Sequence, residues 1–450
     1  MAKRQLKVLL FSGAGAVGLI AATWLGITIA AKKQTAEMDA IANEALAQYS
    51  KTEQNSSAIT LDELSAQVGL SLLSDTENSP SIDPKNGASF QRISDDLRDY
   101  FRAQSAKSQG PLDPIPETIQ SFLNENQAAL SQIQTHLNSQ EMPIWDFEAS
   151  RYANIDYAIP SYVGLVNLNK LLVLKAVVHA QQDQPEQMVS TLNAAQALIE
   201  IPMQRPDLIS YLVSLITMDD NAAIVRHLEN VPPSVTSQMI SLDQQQHGVD
   251  RLRFDNWTFY RGLDRAINSP TQLEDVSFFM DSSRLAFVSP VVPYKSYLVL
   301  SNVNTTHLRE KSHEQLVGKS ICSLDVGALE NELLEELPWW NLMGAVALPS
   351  FLTQWRKGGD RMLTAELTHL VVQAKALAAE QGKWPETLPN LESSTCPGEH
   401  WTYSVSSTGE MSLSFSRDFA WRQPNYDSHA TYIPLNYTAQ LSSSPETTLP

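Results

Sequence analysis

The longest uncharged run, Val8–Ala31, is the strongest hydrophobic signal in the chain. Its 24 residues form a helix that crosses a hydrocarbon core about 30 Å thick at about 1.5 Å per residue. Lys3, Arg4 and Lys7 precede the run and Lys32 and Lys33 follow it. That three-to-two charge bias favours an N-in orientation by a narrow margin. The apolar region of a cleaved signal peptide spans about 7–15 residues, which is shorter. An uncleaved single-pass anchor is therefore expected. The apolar stretch Trp339–Trp355 is interrupted by Asn341, Pro349 and Gln354 and reads as core. The remainder of the chain then lies on one side of the membrane.

Two further patterns lie within this run. Ala14, Gly18, Ala22 and Gly26, continued by Ala30, recur every four residues. Small side chains on one helix face let two spans approach closely, which leaves room for a homodimer through the span. Gly13-Ala14-Gly15-Ala16-Val17-Gly18 also matches a dinucleotide-binding fingerprint. That motif needs a second strand ending in an acid about 20 residues on. Here the apolar helix continues to Ala31 instead.

Beyond the anchor (1–33), residues 34–116 read as a helical stalk with linkers. Residues 117–320 read as a helical domain. Its clearest feature is a hairpin: an apolar helix from Tyr162 to His179, a turn at Gln181–Pro185, and a return through Met188, Leu192, Ala195 and Leu198. One such hairpin resembles a tetratricopeptide unit, but no second copy recurs at the roughly 34-residue period of that repeat. Helices are also expected over 206–229, 250–268, 293–313, 327–337 and 361–381. Residues 321–420 read as a helix followed by a β-hairpin. There Trp401, Tyr403 and Val405 alternate with polar residues, as do Met411, Leu413 and Phe415. Residues 421–450 are expected to be a mostly disordered tail. The fold class is mainly α: an N-terminal transmembrane helix, an irregular bundle or solenoid-like body, and a small α+β module near the C-terminus.

Charge sharpens this picture. The chain of 450 residues has a formal net charge of −18. The first 33 residues hold five positives and no negatives, which leaves −23 on the rest. A body this acidic repels nucleic acid. There are two cysteines, Cys322 and Cys396. In an oxidising compartment they are candidates for one disulfide.

Gly382-Lys383-Trp384-Pro385-Glu386-Thr387-Leu388-Pro389-Asn390-Leu391 follows the helix expected at 361–381 and precedes the hairpin. This segment resembles the G-x-[YW]-P-x-x-L-x-x-L step of pseudopilin-like proteins. The chain is also similar to uncharacterised bacterial single-pass, membrane-anchored helical proteins. That resemblance implies an exported domain and no known chemistry. The prepilin cleavage motif is missing, and the 361–381 helix does not follow the span directly.

No catalytic, cofactor or metal motif survives inspection. His313-Glu314 begins a zinc-binding H-E-x-x-H, but Val317 stands where the second imidazole is needed. Glu330, Glu332, Glu335 and Glu336 oppose Leu329, Leu333 and Leu337 and read as the solvated side of a helix. Arg253, Trp257, Tyr260 and Arg261 interleave cations with aromatics. If exposed, they would make an interaction helix for a peptide or glycan. Asn55, Asn256, Asn304 and Asn436 lie in N-x-[ST] sequons.

The expectation is a membrane-anchored extracytoplasmic scaffold or interaction protein in a bacterial inner membrane. Its C-terminal body is periplasmic, its partners are other envelope proteins, and it uses no nucleic acid and no cofactor. The rival is an extracytoplasmic hydrolase whose carboxylates converge only in three dimensions. Whether the chain is an enzyme stays open, with the balance against it.

Overall fold

The computed structural model describes residues 2–72, 81–139, 141–154, 162–241, 244–269, 294–422 and 432–441, with side chains from residue 25 onward except at 241–246, 294 and 350. Helix α1 (Ala2–Ala47) runs unbroken from the apolar N-terminal stretch into the folded body. Its Met38, Ala42 and Ala45 are buried. A helix that leaves an apolar run usually needs a linker before the next domain. Here i, i+4 apolar spacing continues past Lys33, so the helix can dock without one.

A first group of short helices follows: α2 (Ser56–Gln67), α3 (Pro84–Gln91), α4 (Ser94–Ser105), α5 (Glu117–Glu125), α6 (Gln127–Ser139) and α7 (Ala149–Tyr152). Asn55 caps α2 by accepting from the Ala58 amide. The expected hairpin forms from α8 (Val163–Gln181) and α9 (Pro185–Met203). Its turn includes Asp183 at φ 54°. Helix α10 (Leu208–Val225) packs on α9. Both α8 and α10 are long and apolar enough to cross a membrane, yet most of each is buried inside the fold. A helix that is apolar on all sides suits a core surrounded by other helices. Leu168, Leu171, Leu172 and Leu198 lie in the resulting cluster with Leu61, Leu97, Phe122 and Ile133.

Next come α11 (Pro233–Ser241), α12 (Gln244–Asn268), α13 (Tyr294–Leu316), α14 (Val326–Glu336) and α15 (Leu342–Gln381). The apolar stretch from Trp339 and the helix expected at 361–381 merge in α15, which has 40 residues. Pro349 lies inside it. Asn341 caps its start by accepting from the Gly344 amide at 2.9 Å. Gly382, at φ 66°, ends it in the left-handed conformation that glycine tolerates. Trp384 and Leu388 then turn back and are buried. Helix α15 lies against α10, α11, α12, α13 and α14. It also carries the sheet, so helical body and sheet share one axis.

The C-terminal sheet is antiparallel in the order β1 (Trp401–Val405), β2 (Glu410–Phe415), β3 (Asn436–Gln440). The expected hairpin pairs Tyr403 with Leu413 and Val405 with Met411. Strand β3 falls within 421–450, expected to be a mostly disordered tail, and gives its 436–440 part a place in the sheet. Leu413 pairs with Tyr437, whose side chain is buried. A two-stranded ribbon is marginal alone, and the third strand and α15 supply what it lacks. The edge of β3 is itself met by the loop at Ser108, whose carbonyl accepts from the Thr438 amide at 2.9 Å.

Candidate interaction surfaces

Helix α12 alternates cations with aromatics, and the structure shows what they face. Trp257 and Tyr260 are buried. They pack with Met38, Ala42 and Ala45 of α1 and Val303 of α13. Arg261 donates to Asp39 Oδ1 at 2.6 Å and to Asn43 Oδ1. The Tyr260 hydroxyl donates to Asp39 Oδ1 at 3.2 Å and to the Thr35 carbonyl at 3.3 Å. Burial first, and Asp39 second, raises the Tyr260 pKa well above the ordinary tyrosine value and holds it protonated. Arg253 Nε donates to Glu310 Oε1 at 2.9 Å. The condition for an interaction helix, exposure, is not met by its two aromatics. This face of α12 is the dock for α1.

A cleft of about 360 Å³ opens where the end of α1, the 143–147 segment, the α9–α10 corner and the start of α12 meet. Tyr49, Trp145 and Phe147 supply its apolar wall, and Arg205, Arg251 and Asp250 its charges. The two guanidiniums serve the fold. Arg205 donates to the Asp146 carbonyl at 3.0 Å and to the Tyr152 hydroxyl, and its guanidinium lies 5.4 Å from the Phe147 ring centre. Arg251 is buried and donates to the carbonyls of His247 and Met203. Its burial pushes its pKa down. A single acid in this cleft offers no acid–base pair.

A cluster of acids with raised pKa values lies elsewhere. Burial raises Asp219 to about 6 and Asp220 to about 7. It also raises Asp360, against the pull of Arg422 and Arg361. Each faces a cation: Arg361 is 2.7 Å from Asp219, Lys170 is 3.6 Å from Asp220 and Arg422 is 2.8 Å from Asp360. These ion pairs tie α8, α10 and α15 to the Ala420–Arg422 turn, and none of the three acids lines the cleft. A buried carboxylate held by its own cation is a structural element first. Among the described residues, no group of three or more His, Cys, Asp or Glu could hold a metal ion. Lys311 of α13 pairs with Glu332 and Glu336 of the acidic helix α14.

Cys322 and Cys396 sit at disulfide distance, with Cα atoms 5.4 Å apart. The link would join the α13–α14 loop to the loop before β1. Of the small-residue face, Ala14, Gly18 and Ala22 lie outside the described side chains, and Gly26 has open space where a Cβ would stand. Asn55 and Asn256 are engaged internally: Asn55 donates to the Met142 carbonyl at 2.9 Å, and buried Asn256 donates to the Thr306 carbonyl at 3.2 Å.

The sequence reading passed over Glu366, a buried acid on α15. Nothing in its local pattern marks it, because its donors lie some 27 to 35 positions away. It also placed Trp339 in the core, at the head of the stretch Trp339–Trp355, and the structure corrects this. That side chain is 88% exposed in the corner before α15. No family model, curated protein or solved structure matches this chain.

Proposed function

We propose that this chain is a single-pass protein of a bacterial inner membrane whose body works outside the cytoplasm as an interaction scaffold held in a fixed pose. The observation that carries this reading is the continuity of α1. The apolar stretch and the docked segment belong to one helix, Ala2–Ala47. Its second half is clamped by Asp39–Arg261 and by burial of Met38, Ala42 and Ala45. A body joined to its anchor by a packed helix keeps one orientation to the bilayer, where a flexible linker would let it swing. The acidic body and the Cys322–Cys396 pair suit an oxidising space outside the cytoplasm. The groove lined by Leu137, Pro185, Val189 and Pro232 is open to solvent, a form that leaves room for a protein partner.

The reading is tested by extracting membranes with alkaline carbonate and by adding protease to spheroplasts. The chain is expected to stay in the membrane pellet and to lose its body to external protease. Release by carbonate, or protection of the body in intact spheroplasts, would overturn it. The scaffold half is tested by purification from detergent-solubilised membranes. A defined envelope protein should co-purify in stoichiometric amount, and a body that migrates alone at every stage argues against a scaffold.

A further inference from the structure

We propose that the corner at Trp339 rests on the bilayer beside α1, with its indole at headgroup level. This rests on the anchor reading above. Three contacts establish the level of the corner. Thr28 of α1 lies against Ser296 in the first turn of α13, their hydroxyls 3.4 Å apart. The next residue, Tyr297, donates its hydroxyl to the Trp340 carbonyl at 2.9 Å. The rings of Tyr297 and Trp340 are 6.1 Å apart. Trp339 is the neighbour of Trp340. The corner therefore sits near the turn of α1 that contains Thr28, where the uncharged run ends at Ala31.

That level coincides with the edge of the lipid. Counting back from Thr28, about 20 residues of α1 remain for a hydrocarbon core about 30 Å thick. Lys32 and Lys33 follow one turn later and are exposed. Lys295 is exposed in the first turn of α13. Three lysines around the point of entry, on a body otherwise strongly acidic, suit the phosphates of anionic lipid. Leu25 and Ile29 present apolar side chains to the outside of α1 at the same height, each more than half exposed.

An indole exposed to 88% is poorly placed in water. Tryptophan buries a large apolar area and keeps one N–H donor, so it favours the boundary between hydrocarbon and headgroups. The corner is also well held. Tyr297 and Leu298 are buried with Leu263 and Ile267, and Trp340 and Met343 pack on them. Asn341 donates to Asn304 Oδ1 at 2.8 Å just behind it. The indole is thus presented by a firm mount.

The experiment uses full-length protein in nanodiscs of phosphatidylethanolamine and phosphatidylglycerol, spin-labelled at one introduced cysteine. The native cysteines are paired and do not take the label. The sites are Val17→Cys in the apolar run, Trp339→Cys, and Glu386→Cys past the far end of α15, where the side chain is 88% exposed. Oxygen partitions into lipid and a nickel chelate stays in water, so their relaxation effects report depth. The expected result places position 339 between the other two: more accessible to oxygen and less to nickel than position 386, and less extreme in both than position 17. If 17 reads as lipid and 339 as water, the corner proposal falls and the anchor stands. If 17 itself reads as water, the anchor reading falls. If 339 is shielded from both reagents, protein covers it, whether residues 270–293 or a second copy, and the proposal also falls.

Discussion

The indole Nε1 of Trp401 donates to Oε2 of Glu366 at 3.1 Å, both residues buried. The same carboxylate accepts from the hydroxyls of Ser393, Ser394 and Thr395 at 2.6–2.7 Å and from the Thr395 amide at 2.6 Å. One acid on α15 thereby holds the loop that carries Cys396 and the first strand of the sheet. Replacing it strands several buried donors, each of which costs about 1–3 kcal/mol when left unpaired. Glu366→Ala should lower stability by about 3 kcal/mol or more. Ser394→Ala, at an exposed side chain, should cost far less. Urea unfolding followed by near-ultraviolet circular dichroism measures both.

The pair Cys322–Cys396 is separated by 74 positions. Closing a loop of that length restricts the unfolded chain by about 4 kcal/mol in the chain-entropy account. Cys322→Ser with Cys396→Ser should lower the unfolding free energy by up to about 4 kcal/mol. Reduction of the native protein should reproduce the loss, slowly, because Cys396 is fully buried. Thiol counting under denaturing conditions, before and after reduction, checks the premise.

Asp62 is buried on α2, accepting from Trp145 Nε1 at 3.0 Å and Gln54 Nε2 at 3.3 Å. Burial pushes its pKa up to about 6, against the pull of those hydrogen bonds. The folded state then holds a proton that the unfolded state has already lost between about pH 4 and 6. Stability from this group is greatest below about pH 4 and falls as pH rises through 6. Asp62→Asn should remove that fall and gain on the order of 2 kcal/mol over the native chain at pH 7. Denaturation curves across pH 4–8 for both proteins test the sign.

Tyr211 of α10 puts its hydroxyl between two helical glycines. A Cβ at Gly248 of α12 would lie 2.6 Å from that oxygen, and one at Gly358 of α15 would lie closer still. Tyr211 is buried, so it cannot swing away. Gly358→Ala should cost about 1–3 kcal/mol by overpacking, despite the better helix propensity of alanine. Adding Tyr211→Phe should recover part of that loss, so the double variant falls short of the sum. A double-mutant cycle by thermal unfolding reads the coupling.

Much of the fold was legible because helix and strand leave short-range periodic marks. The α8–α9 hairpin, the strands Trp401–Val405 and Glu410–Phe415 and the stop at Gly382 follow from spacing and from single residues with special backbone freedom. Strand β3 was not legible, since Asn436–Gln440 carries no apolar alternation strong enough to stand out from a polar tail. Its one buried anchor, Tyr437, acquires meaning only against Leu413. The unbroken α15 was missed because Pro349 reads locally as a stop, while the helices around it keep the axis running.

What the amino-acid order determined by itself was the menu of elements, the uncharged opening run and the two-cysteine inventory. Tertiary structure alone decided that Arg261 of α12 meets Asp39 of α1, that Glu366 gathers donors from a distant loop, and that Trp339 is left outside. The physical reason is range. Periodicity and capping act over a few residues, but the partner of a buried charge or an exposed ring is set by how helices stack, and the side chains in contact there are 27 to 222 positions apart.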